Sequence, residues 1–207
     1  MPGKLELQVQ ILDKLRELAG VFTNFSIYRS KNDITKDGIQ TWYQSPMDWK
    51  KVFDNSVAAG DILDSFSLAT PETKLHIGSL YEQSLDNYFV LPSTALFRRS
   101  HVPEHLRFPP HDPICGDWDF FARLSKDAPL CFVDCDTAYN RSHTEDVRLT
   151  QTRMIRQLEL RIDFLERVYH ADKEFYVAHK QRIDSVWQER LVQLALLHLS
   201  LIHISEP

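Results

Sequence analysis

The sequence has no long apolar run, since no hydrophobic stretch approaches the roughly 18 residues that a membrane-spanning helix requires. Its first residues, M-P-G-K-L-E, do not form the apolar core of a secretory signal peptide. It has only three cysteines in 207 residues, too few for a disulfide framework. These absences favour a reducing environment, and the expected location is the cytoplasm.

The sequence also lacks a basic excess. It has 24 lysines and arginines against 29 aspartates and glutamates, a net charge of −5. A non-specific nucleic-acid binder needs surplus cations to neutralise phosphates, so no nucleic-acid partner is expected. The overall composition, 43% hydrophobic and 26% charged, is ordinary for a globular protein. The length suits one domain with an appendage.

Residue patterns before about position 146 predict an α/β domain. Leu7, Ile11, Leu15 and Leu18 recur at helical spacing, and Gly20 ends that helix. Strand-forming residues then fill 21–28 and, much later, 130–139. The other predictions for this part are helices over 46–59, 79–86 and 118–124, a turn over 32–38, a strand over 88–98 interrupted at Pro92, and a loop over 101–116.

The pattern changes after about residue 144. Ile155, Leu158, Ile162, Leu165 and Tyr169 follow a 3-4-3-4 spacing, which indicates an amphipathic helix. A second helix capped by Asp172 would bring together Ile183, Trp187, Leu191 and Leu194. The sequence therefore predicts an α/β domain over 1–146 and a helical hairpin over 147–198.

The most informative segment is 114–125, I-C-G-D-W-D-F-F-A-R-L-S, which places an acid at the start of a helix behind a proline-rich loop. A strand follows, and then the segment Y-N-R-S-H of residues 139–143. This order of parts resembles the acceptor-side half of family 2 glycosyltransferases, whose GT-A fold is Rossmann-like. In that family the acid of an "(E)DW(D)" segment is the catalytic base, which implies that role for Asp117. Gly116 stands where the family often has Glu.

Two interpretations of Asp117 follow from the residues alone. A carboxylate at a helix N-terminus is favoured in its charged form by the macrodipole, which suits a proton acceptor. The alternative is that Asp117 only caps the helix by accepting a backbone N–H. Asp119 is expected on the helix face, pairing with Arg123 four residues later.

Other segments extend the resemblance. Residues 139–143 resemble the family's "Y-R-x-H" ending, which implies that Arg141 contacts the donor diphosphate and that His143 contacts the diphosphate or a metal. The alternative is a surface pair of Arg141 with Glu145 and a solvated His143. Residues 88–100 resemble the strand before the acceptor loop, which implies an acceptor-side role for Thr94, with an ordinary strand position as the alternative. Trp118 could contact an acceptor sugar through its aromatic ring, and the alternative is that it packs its helix onto the sheet.

Both ends of the sequence carry expectations of their own. Residues 2–8, P-G-K-L-E-L-Q, resemble the tail of the family's "W-x-P-x-K-L-x-x-Q" segment, which follows an Asp-rich metal-binding motif. The resemblance implies that this motif, with its Mg²⁺ or Mn²⁺ and the nucleotide-binding strands, lies before Met1. Residues 199–207 resemble a translated sequencing adapter, an artefactual tail.

The resemblance implies a bacterial-type enzyme of cell-surface polysaccharide synthesis. It would transfer a sugar from a nucleotide-sugar donor to a glycan or lipid-linked acceptor, with inversion. The longer protein would be cytoplasmic or peripheral to the membrane, and the piece alone would be inactive.

Two alternatives come from the residues. Cys115, Cys131, Cys135 and His143 are zinc-ligand types. However, residues 131 and 135 would lie roughly 13 Å apart on a strand, too far to share one ion. Buried reduced cysteines are therefore preferred. A non-enzymatic interaction module, built on the helices of 148–198, is the other alternative. The environment of Trp187 would distinguish self-packing from an exposed partner face.

Overall fold

The computed structural model describes residues 1–43, 47–66, 68–141 and 154–204, with side chains described up to residue 200. The chain forms two compact units. The first comprises residues 1–84, 88–106 and 121–146, and the second comprises 85–87, 107–120 and 147–207. The predicted α/β class is confirmed. The predicted boundary near residue 146 is only part of the division, because residues 107–120 belong with the C-terminal helices.

The first unit contains a six-stranded mixed sheet. Its strands are β1 (Gly20–Ser30), β2 (Asp33–Thr35), β3 (Asn55–Ala58), β4 (Lys74–Gly78), β5 (Ala95–Phe97) and β6 (Leu130–Arg141). The order is β2-β1-β6-β4-β3, with β5 also paired to β1. Only β1 and β6 run parallel, and the other pairs are antiparallel.

One face of the sheet is covered by helix α1 (Lys4–Lys14). Leu7 and Ile11 of α1 are fully buried in a cluster with Val21 of β1, Leu75 of β4 and Val133 of β6. Successive strand residues point to opposite faces, so alternate apolar residues of the central strands supply this cluster. The helix that the leucine spacing predicted is therefore confirmed, although it ends at Lys14 rather than at Gly20.

The opposite face of the sheet carries an aromatic cluster. Phe132 of β6 stacks on Phe22 of β1 at a ring-centroid distance of 5.2 Å. Its ring lies 4.5 Å from that of Trp49 and 5.8 Å from that of His76. Phe53 stacks against His76 at 5.9 Å. His76 is 5% exposed, and its Nδ1 has no hydrogen-bond partner.

Several predicted elements differ from the structure. The predicted helix over 46–59 contains only helix α3 (Trp49–Val52), because residues 55–58 pair with β4 as strand β3. Helix α2 (Gly38–Tyr43) precedes it. The predicted strand over 88–98 reduces to β5, because Pro92 begins a 3₁₀ turn, Pro92–Thr94. The predicted helix over 79–86 is a single 3₁₀ turn, Gln83–Leu85.

Helix α4 (Gly116–Asp127) follows the predicted proline-rich loop and begins in the second unit. That unit also contains helix α5 (Met154–Leu165), a π-helical turn over Glu166–His170 and helix α6 (Lys173–Ile204). The cap prediction for Asp172 is confirmed, since its carboxylate accepts the Phe175 N–H at 3.3 Å. Backbone geometry departs from helical at His179 within α6.

The Trp187 side chain packs within this hairpin. Its ring meets that of His170 edge-on at 5.7 Å, and its Nε1–H donates to Glu166 at 3.2 Å. This packing favours the self-packing interpretation of the helices at Trp187 over an exposed face for a partner. Among the described residues, no helix combines the length and apolarity needed to cross a membrane.

Candidate active site

Asp112 organises the loop that leads into helix α4. One of its carboxylate oxygens accepts the N–H groups of Ile114 at 3.1 Å and Cys115 at 2.7 Å. The other oxygen accepts a hydrogen bond from Arg167 Nη2 at 2.8 Å. Asp112 is buried, so this carboxylate is satisfied entirely by protein groups that fix the loop just before the helix.

Asp119 is the second acid bound to Arg167. It is 1% exposed, and its carboxylate accepts Arg167 Nε at 3.1 Å. It is therefore a buried acid bound to Arg167, whereas the helix pattern predicted a helix-face acid paired with Arg123. Burial alone would lower the pKa of the Arg167 guanidinium, but the hydrogen bonds to Asp112 and Asp119 raise that pKa overall. One cation thus compensates two buried carboxylates.

Asp117 lies between these two acids in sequence but has a different environment. It is half-buried in the first turn of α4, and its Oδ1 accepts the N–H of the next residue, Trp118, at 2.8 Å. A capping side chain accepts from the second or third residue beyond it, so this contact is not the N-cap bond. Asp112 provides the backbone-ordering contacts before the helix instead. Arg167, on the π-helical turn, forms ion pairs with Asp112 and Asp119.

Cys115, next to this segment, is not a ready nucleophile. Burial and the negative charge of Asp112 raise the pKa of its thiol to about 12. The reactive form of cysteine is the thiolate, so Cys115 remains protonated near neutral pH. Burial likewise raises the pKa of the Cys131 thiol, and that of Cys135 to about 11.

The zinc alternative gains no support from these cysteines. His143, its fourth expected ligand, lies outside the described residues. Across the described ranges there is no group of three His, Cys, Asp or Glu side chains that could hold a metal ion.

Trp118 packs inside the second unit. Its ring lies 4.8 Å from that of Phe164 on α5, and the side chain is half-buried. Phe120 stacks on Phe108 at 4.2 Å in the same unit. The ring of Trp118 therefore contacts helix α5, whereas packing onto the sheet was expected, and its acceptor-side role stays a prediction.

Thr94, the other acceptor-side candidate, is a fully buried residue of the first unit. Its hydroxyl donates to the Leu91 carbonyl at 2.7 Å, and its carbonyl accepts Gln8 Nε2 at 2.7 Å. These bonds anchor the 3₁₀ turn to helix α1. Thr94 therefore has a structural role in the turn, whereas its acceptor-side role stays a prediction.

Of the two candidates for contact with the donor diphosphate, the structure describes Arg141 but not His143. Arg141 is exposed at the end of β6, where it lies opposite Tyr28 of β1 in the strand register. His143 lies outside the described residues. The proposed diphosphate contacts of both residues stay predictions.

The first unit has a polar cluster that the sequence reasoning missed. A bulge in β6 inserts extra residues between the partners of Thr23 and Phe25. At this bulge, Asp136 accepts the Ser26 hydroxyl at 2.6 Å and the Asp37 N–H at 3.2 Å. Desolvation, followed by the charge of Asp37, raises the pKa of Asp134. The D-x-D spacing of residues 134–136 was the available signal in the sequence.

The three carboxylates near the start of α4 differ in their environments. Two carboxylates are buried and compensated by Arg167, whereas the third, Asp117, is half-buried at a helix N-terminus. A carboxylate in that position can accept a proton from a bound hydroxyl group. Comparisons with protein-family models, curated proteins and solved structures found no match to this chain.

Proposed function

We propose that this chain is the acceptor-side part of a family 2, GT-A-type glycosyltransferase with Asp117 as its general base. The observation that carries the proposal is the segregation of three aspartates within eight residues. Asp112 and Asp119 are buried and bound to Arg167, whereas Asp117 is half-buried in the first turn of α4. The sequence resemblance around residues 114–125 and 139–143 supports the same role.

The proposed reaction needs a base at this point. Asp117 accepts the proton of the acceptor hydroxyl as that oxygen forms a bond to the anomeric carbon of the donor sugar. The bond from the anomeric carbon to the diphosphate breaks at the opposite face, so the nucleoside diphosphate departs with its electron pair and the configuration inverts. The macrodipole of α4 favours the ionised carboxylate before the proton is transferred.

The donor side of the proposal rests on the resemblance. It includes a divalent cation, Mg²⁺ or Mn²⁺, and diphosphate contacts from Arg141 and His143. The part of the chain that the structure describes contains no trio of ligand side chains fitted to a metal ion. We therefore assign no step of the reaction to a cation held by these residues.

The proposal is tested with the longest reading frame that encloses this chain. Purified protein is incubated with a panel of nucleotide sugars and acceptor extracts, and release of the nucleoside diphosphate with formation of glycoside is measured. Asp117→Asn should lower the transfer rate by about 10²- to 10⁴-fold, the usual contribution of a general base. Asp127→Asn, at the exposed end of the same helix, is the matched control and should transfer at the parent rate.

Full transfer activity in the Asp117→Asn protein would remove Asp117 from the mechanism. A parent protein that folds but turns over none of the nucleotide sugars would count against the enzyme class. In that case the alternative of an interaction module built on the helices of 148–198 would be preferred.

A further inference from the structure

Helices α5 and α6 form an apolar groove of about 340 Å³. Its lining residues come from two helical segments: Met154, Gln157, Leu158, Arg161, Gln193, Leu196 and Leu197. Met154 is 63% exposed and Leu196 is 60% exposed, so large apolar side chains face water around the groove. Its volume falls in the range of small-molecule sites, roughly 300–1,000 Å³. Covering these side chains with an apolar group would be favourable.

Arg161 supplies the groove with a positive charge. Within the described part of the chain, its guanidinium makes no hydrogen bond or ion pair, and its Nε is buried without a hydrogen-bond partner. Other arginines of the hairpin are paired: Arg156 with Glu159 at 3.2 Å and Arg190 with Glu189 at 3.4 Å. A partly buried cation without a counter-ion is costly, and an anion supplied by a ligand would reduce that cost.

We propose that this groove binds a free amphiphilic monoanion, a medium-chain alkyl carboxylate. The carboxylate pairs with Arg161, whose planar guanidinium suits two parallel hydrogen bonds to carboxylate oxygens. The unbranched tail lies against Leu158, Leu196 and Leu197. The groove's volume and single cation fit one small ligand of this kind. The proposal does not depend on the proposed sugar transfer.

The first experiment titrates ligands into the 207-residue chain, with binding measured by calorimetry and by NMR chemical shifts of the groove residues. Decanoate should bind saturably. Hexanoate should bind about 80- to 250-fold more weakly, because it lacks four methylenes and each buried methylene strengthens binding about threefold to fourfold. Decanol, with a similar tail and no charge, should bind at least about tenfold more weakly than decanoate. Acetate and decyltrimethylammonium should show no saturable binding.

The second experiment tests the residues. Arg161→Met keeps the aliphatic stem but removes the charge, and should weaken decanoate binding about tenfold or more while leaving decanol binding unchanged. Arg156→Met removes another α5 arginine, which is outside the groove lining and paired with Glu159, and should not change either affinity. Leu196→Glu changes an exposed residue of the groove wall and should abolish decanoate binding by like-charge repulsion. This variant tests the groove independently of whether the Arg161 variant folds.

The proposal is overturned if the parent chain binds decanoate no better than decanol, or if Arg161→Met binds decanoate as well as Arg156→Met does. It is also overturned if decanoate fails to shift the groove resonances. Binding only to vesicles containing anionic lipids, without competition by decanoate, would replace it with a lipid-surface interaction.

Discussion

Three aspartates near the start of helix α4 differ in environment because one guanidinium binds two of them. Arg167 binds Asp112 and Asp119 through separate nitrogens, at 2.8 Å and 3.1 Å. These carboxylates therefore hold the loop and the first turn of α4 to the π-helical turn that carries Arg167. Asp117, in the first turn of α4, is half-buried instead, and its role as a proton acceptor is the proposal made above.

Removal of Arg167 tests this assignment at the residue scale. Arg167→Met leaves two buried carboxylates without their cation, and should lower the free energy of unfolding by about 2 kcal/mol. This is less than the loss for a fully buried pair, because the Arg167 side chain is 37% exposed and partly screened by solvent. Urea unfolding at neutral pH measures the change. The control Arg156→Met breaks an exposed pair and should cost below about 0.5 kcal/mol. Equal losses in the two variants would contradict the assignment.

His76 makes the first unit sensitive to acid. Burial among aromatic rings, with a smaller effect from Lys74, lowers the pKa of the imidazole below its ordinary value of 6.5. The unfolded chain therefore binds a proton more readily than the folded one as the pH falls through about 6.5, so acidification destabilises the fold. The loss levels off once the pH is below the folded-state pKa.

The variant His76→Phe should keep the stacking and remove the proton. Between pH 7.5 and pH 5.5, its free energy of unfolding should fall less than that of the parent protein. Urea unfolding at both pH values provides the comparison, in a range above the ordinary titration of carboxylates. An identical fall in parent and variant would show that His76 is not the responsible group.

At the scale of elements, strong local patterns predicted the structure well and weak ones did not. Strands β1 and β6 contain long runs of strand-forming residues, and both were predicted close to their observed positions. Strand β4 has five residues and β3 has four, and β3 was predicted as helix. Such short strands are stabilised by pairing with each other and with β6, which is information that local sequence does not contain.

In the candidate site, too, local sequence predicted some features and tertiary packing decided the others. Asp117 was found from local sequence because its helix, loop and motif are contiguous. Arg167 was missed because it lies 55 residues from Asp112 and 48 residues from Asp119 along the chain. No periodicity across α5 and the π-helical turn that follows it distinguishes Arg167 from other arginines, so only the three-dimensional packing reveals its role. The β6 bulge, which brings Asp136 to Ser26, is likewise a product of tertiary pairing.

The cap of α6 offers a prediction at this scale. Asp172→Ala removes the carboxylate that accepts the Phe175 N–H, and should cost about 1 kcal/mol of stability in the helical unit. Asp163→Ala, at an exposed position inside α5, lacks this capping role and should change stability by less than about 0.5 kcal/mol. Thermal unfolding followed by circular dichroism compares the two proteins. Equal stability of both variants and the parent would show that the cap contributes nothing measurable.

At the scale of the whole molecule, the residues singled out above are divided between the two units. The first unit contains the mixed sheet, Thr94 and Arg141. The second contains Asp117, Trp118 and the α5–α6 groove. Residue patterns predicted the α/β class and a helical C-terminal region, but not that residues 107–120 belong to the helical unit. That membership depends on the contacts of Arg167 and Phe164, which only the folded chain displays.

The measurement that tests the central claim most directly separates chemistry from binding in the protein assayed for sugar transfer. The kcat of sugar transfer and the Kd of the nucleotide-sugar donor are measured for the parent and for Asp117→Asn. A general base acts on the acceptor in the transition state, so the variant should lose about 10²-fold or more in kcat while its donor Kd is unchanged. An unchanged kcat, or a loss that follows entirely from weaker donor binding, would contradict the assignment of Asp117 as the base.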